Sequence, residues 1–571
     1  MDAARPPLIR LRGIGRWLVP AIPVVFLGLF LLYPLARILA LGIKPLLSGG
    51  MGALGALAAE TGLARLLLGS AGQALLSTAL TLAVGLPAAF VFGRFDFPGK
   101  ALLRMLLSIP FVLPTVVVAS AFVVLVGPGG ALERAVALLT GVPDVQASLV
   151  RTLACVLLAH VFYNVSIVVR IVGGAWANLD PRLRDTARTL GAGRAASFLR
   201  VEARLLVPPI AASALLVFAF CFSSFGVLLM LGGPRMGTLE TEIYRQAVDF
   251  FNLPGAAFLA GLQLTITALV MWAYARLQAR ASVILNLKPG AFTSRKPESA
   301  SAWALVAVCG ILPTLGIALP MAALVAGSFA TRAGPGFAYW EALFGGVHRS
   351  LFWVSPLAAA GNSLLFSVTA VALSLALGIP AAALVARRQA ASERHRFGAG
   401  GGVDILFLLP LGTSAVTLGF GFIVALGAPP LDLRGSALLI PIAHALVALP
   451  LVVRSLLPAL RSINPRIRQA AAILGAGPSR VRIEVDVPLL RRAFIGAAAF
   501  AFTVSLGEFA ATALLTRPEF TTIPVLIYQT LSRPGEINQG QALALSAILM
   551  TVCGVGIAGI ESYRTRGAAV F

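Results

Sequence analysis

Uncharged apolar runs of at least about 18 residues recur along the whole of this 571-residue chain, and a run of that length can cross a bilayer as a helix. Only 12% of the residues are charged, against about 25% in an ordinary soluble domain, so a soluble enzyme of this size is excluded. The runs are continuous and do not alternate with period two, which favours helices over a β-barrel. Spans are expected near 17–36, 70–93, 105–126, 147–169, 205–232 and 256–275, then near 302–328, 360–386, 405–427, 436–453, 493–516 and 540–560.

The formal charge of +23 would suggest nucleic acid in a soluble protein, but here the positives lie between spans and no nucleic-acid partner is expected. With both termini in the cytoplasm, 33 of the 45 Lys and Arg fall on the inward side, as the positive-inside rule requires. Met1 to Arg16 carries four arginines and no small-residue cleavage site, so it reads as the lead into a first span, not as a removed signal peptide. Cys155, Cys221, Cys309 and Cys553 sit singly in apolar stretches and read as small core residues; no metal site or cofactor is expected.

The two halves resemble each other. Gly85 to Arg94 answers to Gly378 to Arg387 at an offset of 293. At an offset of 284, His160 matches His444, Arg170 matches Arg454, Gly191 matches Gly475, Thr238 matches Thr522 and Tyr244 matches Tyr528. An even number of spans per half makes this a parallel repeat, with residues 1–275 as the first copy, 276–301 as a cytoplasmic linker rich in Lys, Pro and Ser, and 302–571 as the second. A pathway between the copies is the natural place for a substrate.

The longest inward loops, 180–204 and 464–488, occupy equivalent places. Asp180 and Asn464 can each cap a helix, with proline next at the first helical position. Gly191 and Gly475 supply a left-handed stop, and a second helix restarts beyond Gly193 and Gly477. Leu183, Ala187 and Leu190 share one face, as do Ile467, Ala471 and Leu474. Such a helix could rest on lipid headgroups, but small residues beside a tight turn argue for docking against a protein.

These loops resemble the EAA loops of the membrane permeases of bacterial ATP-binding-cassette importers. Asp185-Thr-Ala187 stands for Glu-Ala-Ala with Gly191 in register and Val201 at the Ile position, and Gln469-Ala-Ala471 stands likewise with Gly475, Val485 and Pro488. Ala203 and Arg204 replace Leu-Pro in the first loop, and the acid is lost to Gln469 in the second. The resemblance is closest to the fused double permeases of ferric-iron and thiamine importers. Leu158 to Asn164, Cys221 to Phe225, Thr238 to Tyr244, Ser505 to Phe509 and Thr521 to Tyr528 support it.

The resemblance implies an all-α, multi-pass protein of the bacterial plasma membrane with about twelve transmembrane helices in two parallel six-helix repeats, the type I importer permease fold. It implies two ATPase subunits, one per loop, docked on coupling helices formed by Asp185, Ala187, Leu190, Gly191, Gln469, Ala471, Leu474 and Gly475. It also implies an extracytoplasmic substrate-binding protein and alternating access for a small cationic cargo, ferric iron or thiamine. Hydrolysis would lie in the partners, since the chain has no Gly-x-x-x-x-Gly-Lys-[Ser/Thr] phosphate cradle. Leu47 to Met51 imitates an ATPase signature but stands without companion motifs, just outside the first expected span.

At membrane depth Glu508 is costly and so is a candidate for the translocation path, with Ser223 and Ser224 at the equivalent place in the first half. Equally, Glu508 can bond backbone freed near Gly507. His160 and His444 suit hydrogen-bonded packing better than metal ligation. The matched outward loops 232–254 and 517–540 suit a delivery protein's dock. The rival reading is a twelve-span secondary transporter driven by an ion gradient, which also shows two parallel halves but has no need of two matched inward hairpins.

Overall fold

The computed structural model describes residues 21–568 apart from 142–147, 234–235, 284–293, 346–353, 395–405, 408, 428, 430 and 434. The expected N-terminal lead Met1 to Arg16 and, in the expected linker, Lys288, Pro289 and Gly290 lie outside the described residues.

The helices used below are α1 (Tyr33–Glu60), α2 (Leu63–Arg94), α3 (Thr115–Val126), α4 (Leu153–Ala177), α5 (Pro181–Thr189), α6 (Ala203–Phe222), α7 (Leu239–Tyr244), α8 (Leu253–Val283) and α9 (Leu312–Phe329). They continue as α10 (Pro356–Arg394), α11 (Ala415–Leu426), α12 (Leu439–Ser462), α13 (Pro465–Ile473), α14 (Val487–Leu506), α15 (Ala510–Leu515), α16 (Ile523–Leu531) and α17 (Glu536–Ala568). The protein is all-α in class. Among the described residues the strands are two short ones, Ala330–Thr331 paired antiparallel with Gly334–Pro335.

Among the described residues eleven helices are long and apolar enough to cross a membrane. The place expected to hold a twelfth span, 405–427, carries the 12-residue α11 after a 3₁₀ turn at Leu409–Gly412. The span expected at 105–126 is interrupted by Pro110 and Pro114, and only α3 continues it. The spans expected at 205–232 and 493–516 both stop early, α6 at Phe222 and α14 at Leu506, and short helices resume at Gly226 and Ala510. The first span runs on to Ala53, so Leu47 to Met51, expected just outside it, is helical with a backbone kink at Gly50.

The described residues form two compact units that do not follow chain order. One comprises Lys44–Pro356 and Ile523–Gly554. Here α2 and α4 pack along their lengths, with Phe90 edge-on to Trp176 at 5.0 Å and Val91, Phe92, Val168 and Val172 buried between neighbours. Helices α16 and α17 join this unit from far along the chain: Ser546 Oγ lies 3.2 Å from Ser120 Oγ, and Gln541 donates to the Ala342 carbonyl at 2.7 Å. Glu536 fixes the strand pair by accepting from the Arg332 amide and the Tyr339 hydroxyl, both at 2.9 Å.

The other unit comprises Met1–Ile43, Leu357–Thr522 and Val555–Phe571. Within it α12 packs on α14, and α11 is wedged against α15 and the start of α1. Phe30 meets Phe422 edge-on at 6.4 Å, and Pro34 and Ile38 lie against Gly421. In this unit α11 is buried along most of its length, which explains how a helix too short to span can be so apolar.

One contact sets how closely α2 and α4 approach. A Cβ on Gly93 would sit 2.8 Å from the Gly173 carbonyl oxygen and 2.9 Å from Trp176 Cβ, distances that backbone cannot yield. Gly93→Ala is expected to cost about 1–3 kcal/mol by overpacking. On the same helix Gly72→Ala meets nothing within 4 Å and is expected to be neutral or stabilising by up to about 1 kcal/mol through helix propensity. Thermal melting of the two variants in detergent checks this; equal shifts would remove the close approach as the cause.

Candidate functional site

Both expected hairpins are present with the expected chemistry. Asp180 accepts from the Arg182 amide and Asn464 from the Arg466 amide, each at 3.0 Å, and proline occupies the first turn of α5 and of α13. Each cap contributes about 1 kcal/mol. Gly191 at φ +88° and Gly475 at φ +85° end the helices, in the left-handed region that a β-carbon disfavours. Four-residue helices restart at Arg194 and Pro478.

What the hairpins present is apolar. Leu190 is 83% exposed, Leu474 87% and Ile473 85%, whereas Ala187 and Ala471 are half-buried beneath them. Asp185 and Gln469 are exposed on the same helices. The expected shared face is therefore split: Leu190 and Leu474 sit past the last helical residue and project at the turn. Three large aliphatic side chains held out on tight, capped turns have the form of knobs for a partner's pocket.

A polar bracket behind each hairpin was not foreseen. Five-residue π turns, Phe198–Glu202 and Arg482–Asp486, connect the hairpins to α6 and α14. Glu202 accepts from Arg94 Nη2 at 2.7 Å and from Trp176 Nε1 at 3.4 Å, and Arg184 Nη1 stands 3.9 Å away. Arg468 Nε donates to Asp486 Oδ1 at 2.7 Å. The signal was in the sequence, because Arg184 and Glu202 match Arg468 and Asp486 at the same offset of 284.

Beside Arg94 the chain turns an elbow. The Arg295 amide donates to the Arg94 carbonyl at 3.0 Å and the Asp96 amide to the Arg295 carbonyl at 2.9 Å, so the expected linker, whose first residues to Val283 continue α8, lies along the elbow at Arg295 as a short bridge. Lys100, bonded to the Phe95 carbonyl, has its pKa lowered to about 8, by burial first and by Arg104 second, with Asp96 opposing.

The histidines are packing groups, each at a helix break. His160 Nδ1 lies 2.8 Å from Ser77 Oγ of α2, and its Nε2 lies 3.0 Å from Ser224 Oγ in the gap after α6. His444 Nδ1 lies 2.8 Å from Ser505 Oγ and its Nε2 2.8 Å from Thr512 Oγ1. Glu508 is not on a continuous helix above Arg492, as the expected span had it. It occupies the gap after α14, accepting from the Ala511 amide at 2.9 Å, the Thr512 amide at 3.0 Å and the Thr512 hydroxyl at 2.7 Å, with His444 Nε2 at 3.4 Å. Ser223 bonds back to the Ala219 carbonyl. Among the described residues no cluster of three or more His, Cys, Asp or Glu is placed to hold a metal ion.

The first compact unit contains an open cavity of about 910 Å³, with Ser148, Arg151, Thr241, Arg245, Tyr528 and Gln539 in its wall. Ser223 and Ser224 do not line it. Residues from both matched loops expected on the outer side do, since 232–254 supplies Thr241 and Arg245 and 517–540 supplies Tyr528 and Gln539.

A scaffold of apolar spanning helices carrying two matched capped hairpins is the architecture of a multi-pass membrane protein. Residues 85–283 match the family model of the binding-protein-dependent transport system inner membrane component. The chain is similar to the thiamine transport system permease proteins of Brucella abortus (strain 2308), 28% identical over 84% of each chain, and of Haemophilus influenzae, 29% identical over 88% of this chain and 89% of the relative. That of Salmonella typhimurium is 27% identical and aligns with 100% of this chain and 99% of its own length.

Two predictions follow from the geometry. In a double-mutant cycle His444→Gln and Glu508→Gln are expected to be non-additive by about 0.5–3 kcal/mol, because both side chains hold Thr512. Chemical denaturation in detergent reads it, and additivity would separate the two groups. Lys100 becomes a free amine above about pH 8, so its acylation by an amine-reactive ester is expected to be half-maximal there, whereas an unperturbed lysine reaches that point at about 10.4. Peptide mass spectrometry gives both profiles, and a Lys100 midpoint at the unperturbed value contradicts the burial argument.

Proposed function

We propose that this protein is the translocating subunit of an ATP-driven importer of thiamine, working by alternating access. Two separate ATPase subunits would dock on the hairpins, and an extracytoplasmic binding protein would deliver the cargo. The observation that carries the reading is the pair of capped, glycine-ended hairpins that hold Leu190, Ile473 and Leu474 in solvent. A monomeric membrane protein gains nothing from that exposure, whereas an ATPase groove would bury it. Thiamine as cargo is supported by the relatives, each named as a thiamine permease over most of its length. Asp185, Ala187, Leu190 and Gly191 in the first copy, with Gln469, Ala471, Leu474 and Gly475 in the second, form the coupling surfaces.

The helix breaks at Ser223–Phe225 and Gly507–Phe509 border the pathway in this reading, one in each sequence repeat. Ser223, Ser224 and Glu508 then act there by shaping the break. The Glu508 carboxylate is already engaged by two amides and a hydroxyl, so it contributes a fixed backbone turn and a negative field. A thiazolium cation passing the turn would be favoured by that field.

Leu190→Glu together with Leu474→Glu tests the docking. Both positions are exposed, so folding is unaffected. Binding of the ATPase subunits is expected to weaken at least about tenfold, the scale of losing apolar anchors at the centre of an interface. Uptake of labelled thiamine should fall with it. Co-purification of the variant with its ATPase at the level of the unaltered chain would refute the reading.

A further inference from the structure

The brackets behind the hairpins have a consequence for how motion would leave them. Glu202 and Asp486 each hold the last place in a five-residue π turn, and the next residue, Ala203 or Val487, begins a spanning helix. Each acid therefore stands at the root of a span while facing an arginine on the capped helix of its own hairpin, Arg184 on α5 or Arg468 on α13. A π turn is a single widened turn that interrupts the regular α-helical ladder, and helices kink at such bulges. On its own it would bend under load and absorb movement of the hairpin.

We propose that Glu202 and Asp486 are positioning residues that brace these π turns, so that displacement of each hairpin is handed to α6 and α14 as rigid-body motion. The proposal rests on the coupling reading given above. Glu202 braces further than its own hairpin. Its carboxylate gathers Arg94, the last residue of α2, and Trp176, next to the last residue of α4. Arg94 and Glu202 are each 6% exposed, so water does not loosen the pair. Four elements, α2, α4, the first hairpin and α6, thus converge on one side chain. Asp486 is more exposed and ties α13 to the base of α14 through a single short bond from Arg468. Neither acid lies on the exposed turn, so neither is placed to touch an ATPase directly.

The test uses the full chain assembled in liposomes with its ATPase subunits and needs no cargo. Ser532→Cys, an exposed position in the wall of the cavity, is labelled with a membrane-impermeant maleimide, with and without ATP and vanadate. Parent protein is expected to change its labelling rate at least about fivefold on trapping nucleotide, the lower range of a coupling between sites. Glu202→Gln and Asp486→Asn should each cut that change to below about twofold while trapped nucleotide stays the same, as a loss of coupling without loss of binding requires.

In the second hairpin Arg468→Asp alone should behave like Asp486→Asn, and Arg468→Asp with Asp486→Arg should restore the response. This swap carries the test if Glu202→Gln fails to fold. A full response in Asp486→Asn, or a swap that does not restore it, overturns the proposal. If the unaltered chain binds no ATPase, the coupling reading falls and takes this inference with it. If it binds and responds but the variants respond equally, only this inference falls.

Discussion

A helix that breaks within a bilayer leaves amide and carbonyl groups with no water to turn to, and the rest of this structure is arranged around that deficit. Each interruption is met by a named side chain. After α6 the Cys221 carbonyl receives Gln73 of α2, and at the start of α7 the Leu239 amide donates to Ser70 of the same helix. The carbonyl of Pro114, where the chain re-enters α3, receives the Tyr163 hydroxyl. Ser414 opens α11 by accepting from the Val416 and Thr417 amides. Polar residues that look scattered along apolar runs are placed where the backbone needs them.

The hairpins were legible because their signals are local. A cap, a proline, a run of nine helical residues and a glycine obliged to take positive φ follow one another in order, and each acts on its immediate neighbours. Spans were legible for the same reason, since length and apolarity are properties of a segment. Their ends were less so. The stops at Phe222 and Leu506 are paid for by groups outside the segment, Gln73 and His160 in one case and His444 in the other, and a hydropathy reading has no access to such partners. Leu47 to Met51 lies just outside the first expected span, yet the helix bends at Gly50 and carries on through it.

Glu202 shows a second limit. Read along the chain it is one more charge beside a span, of the kind that sits in headgroups. In the folded protein it is buried, and its closest partner, Arg94, is 108 residues away. The offset relating Arg184 to Arg468 and Glu202 to Asp486 was present in the sequence, but two acids at matching positions carry no message until something shows which cation each one faces. Likewise the interleaving of the compact units, with α16 and α17 beside helices from early in the chain, depends on packing that the repeat pattern does not encode.

The two intramembrane histidines separate what duplication kept from what it released. They stand at matching positions, and each bonds to a hydroxyl at the break of a neighbouring helix, but with different partners. His160 joins Ser77 on a neighbouring helix to Ser224 in the gap, whereas His444 spans its own gap from Ser505 to Thr512. The residue matching Ser224 is Glu508, so one break is closed by a neutral hydroxyl and the other by a carboxylate that also caps the following helix. The shared element is the break itself, held by an imidazole with both nitrogens engaged. Turning a helix into two short ones needs a rigid two-ended linker, and histidine supplies it with an apolar body and polar ends.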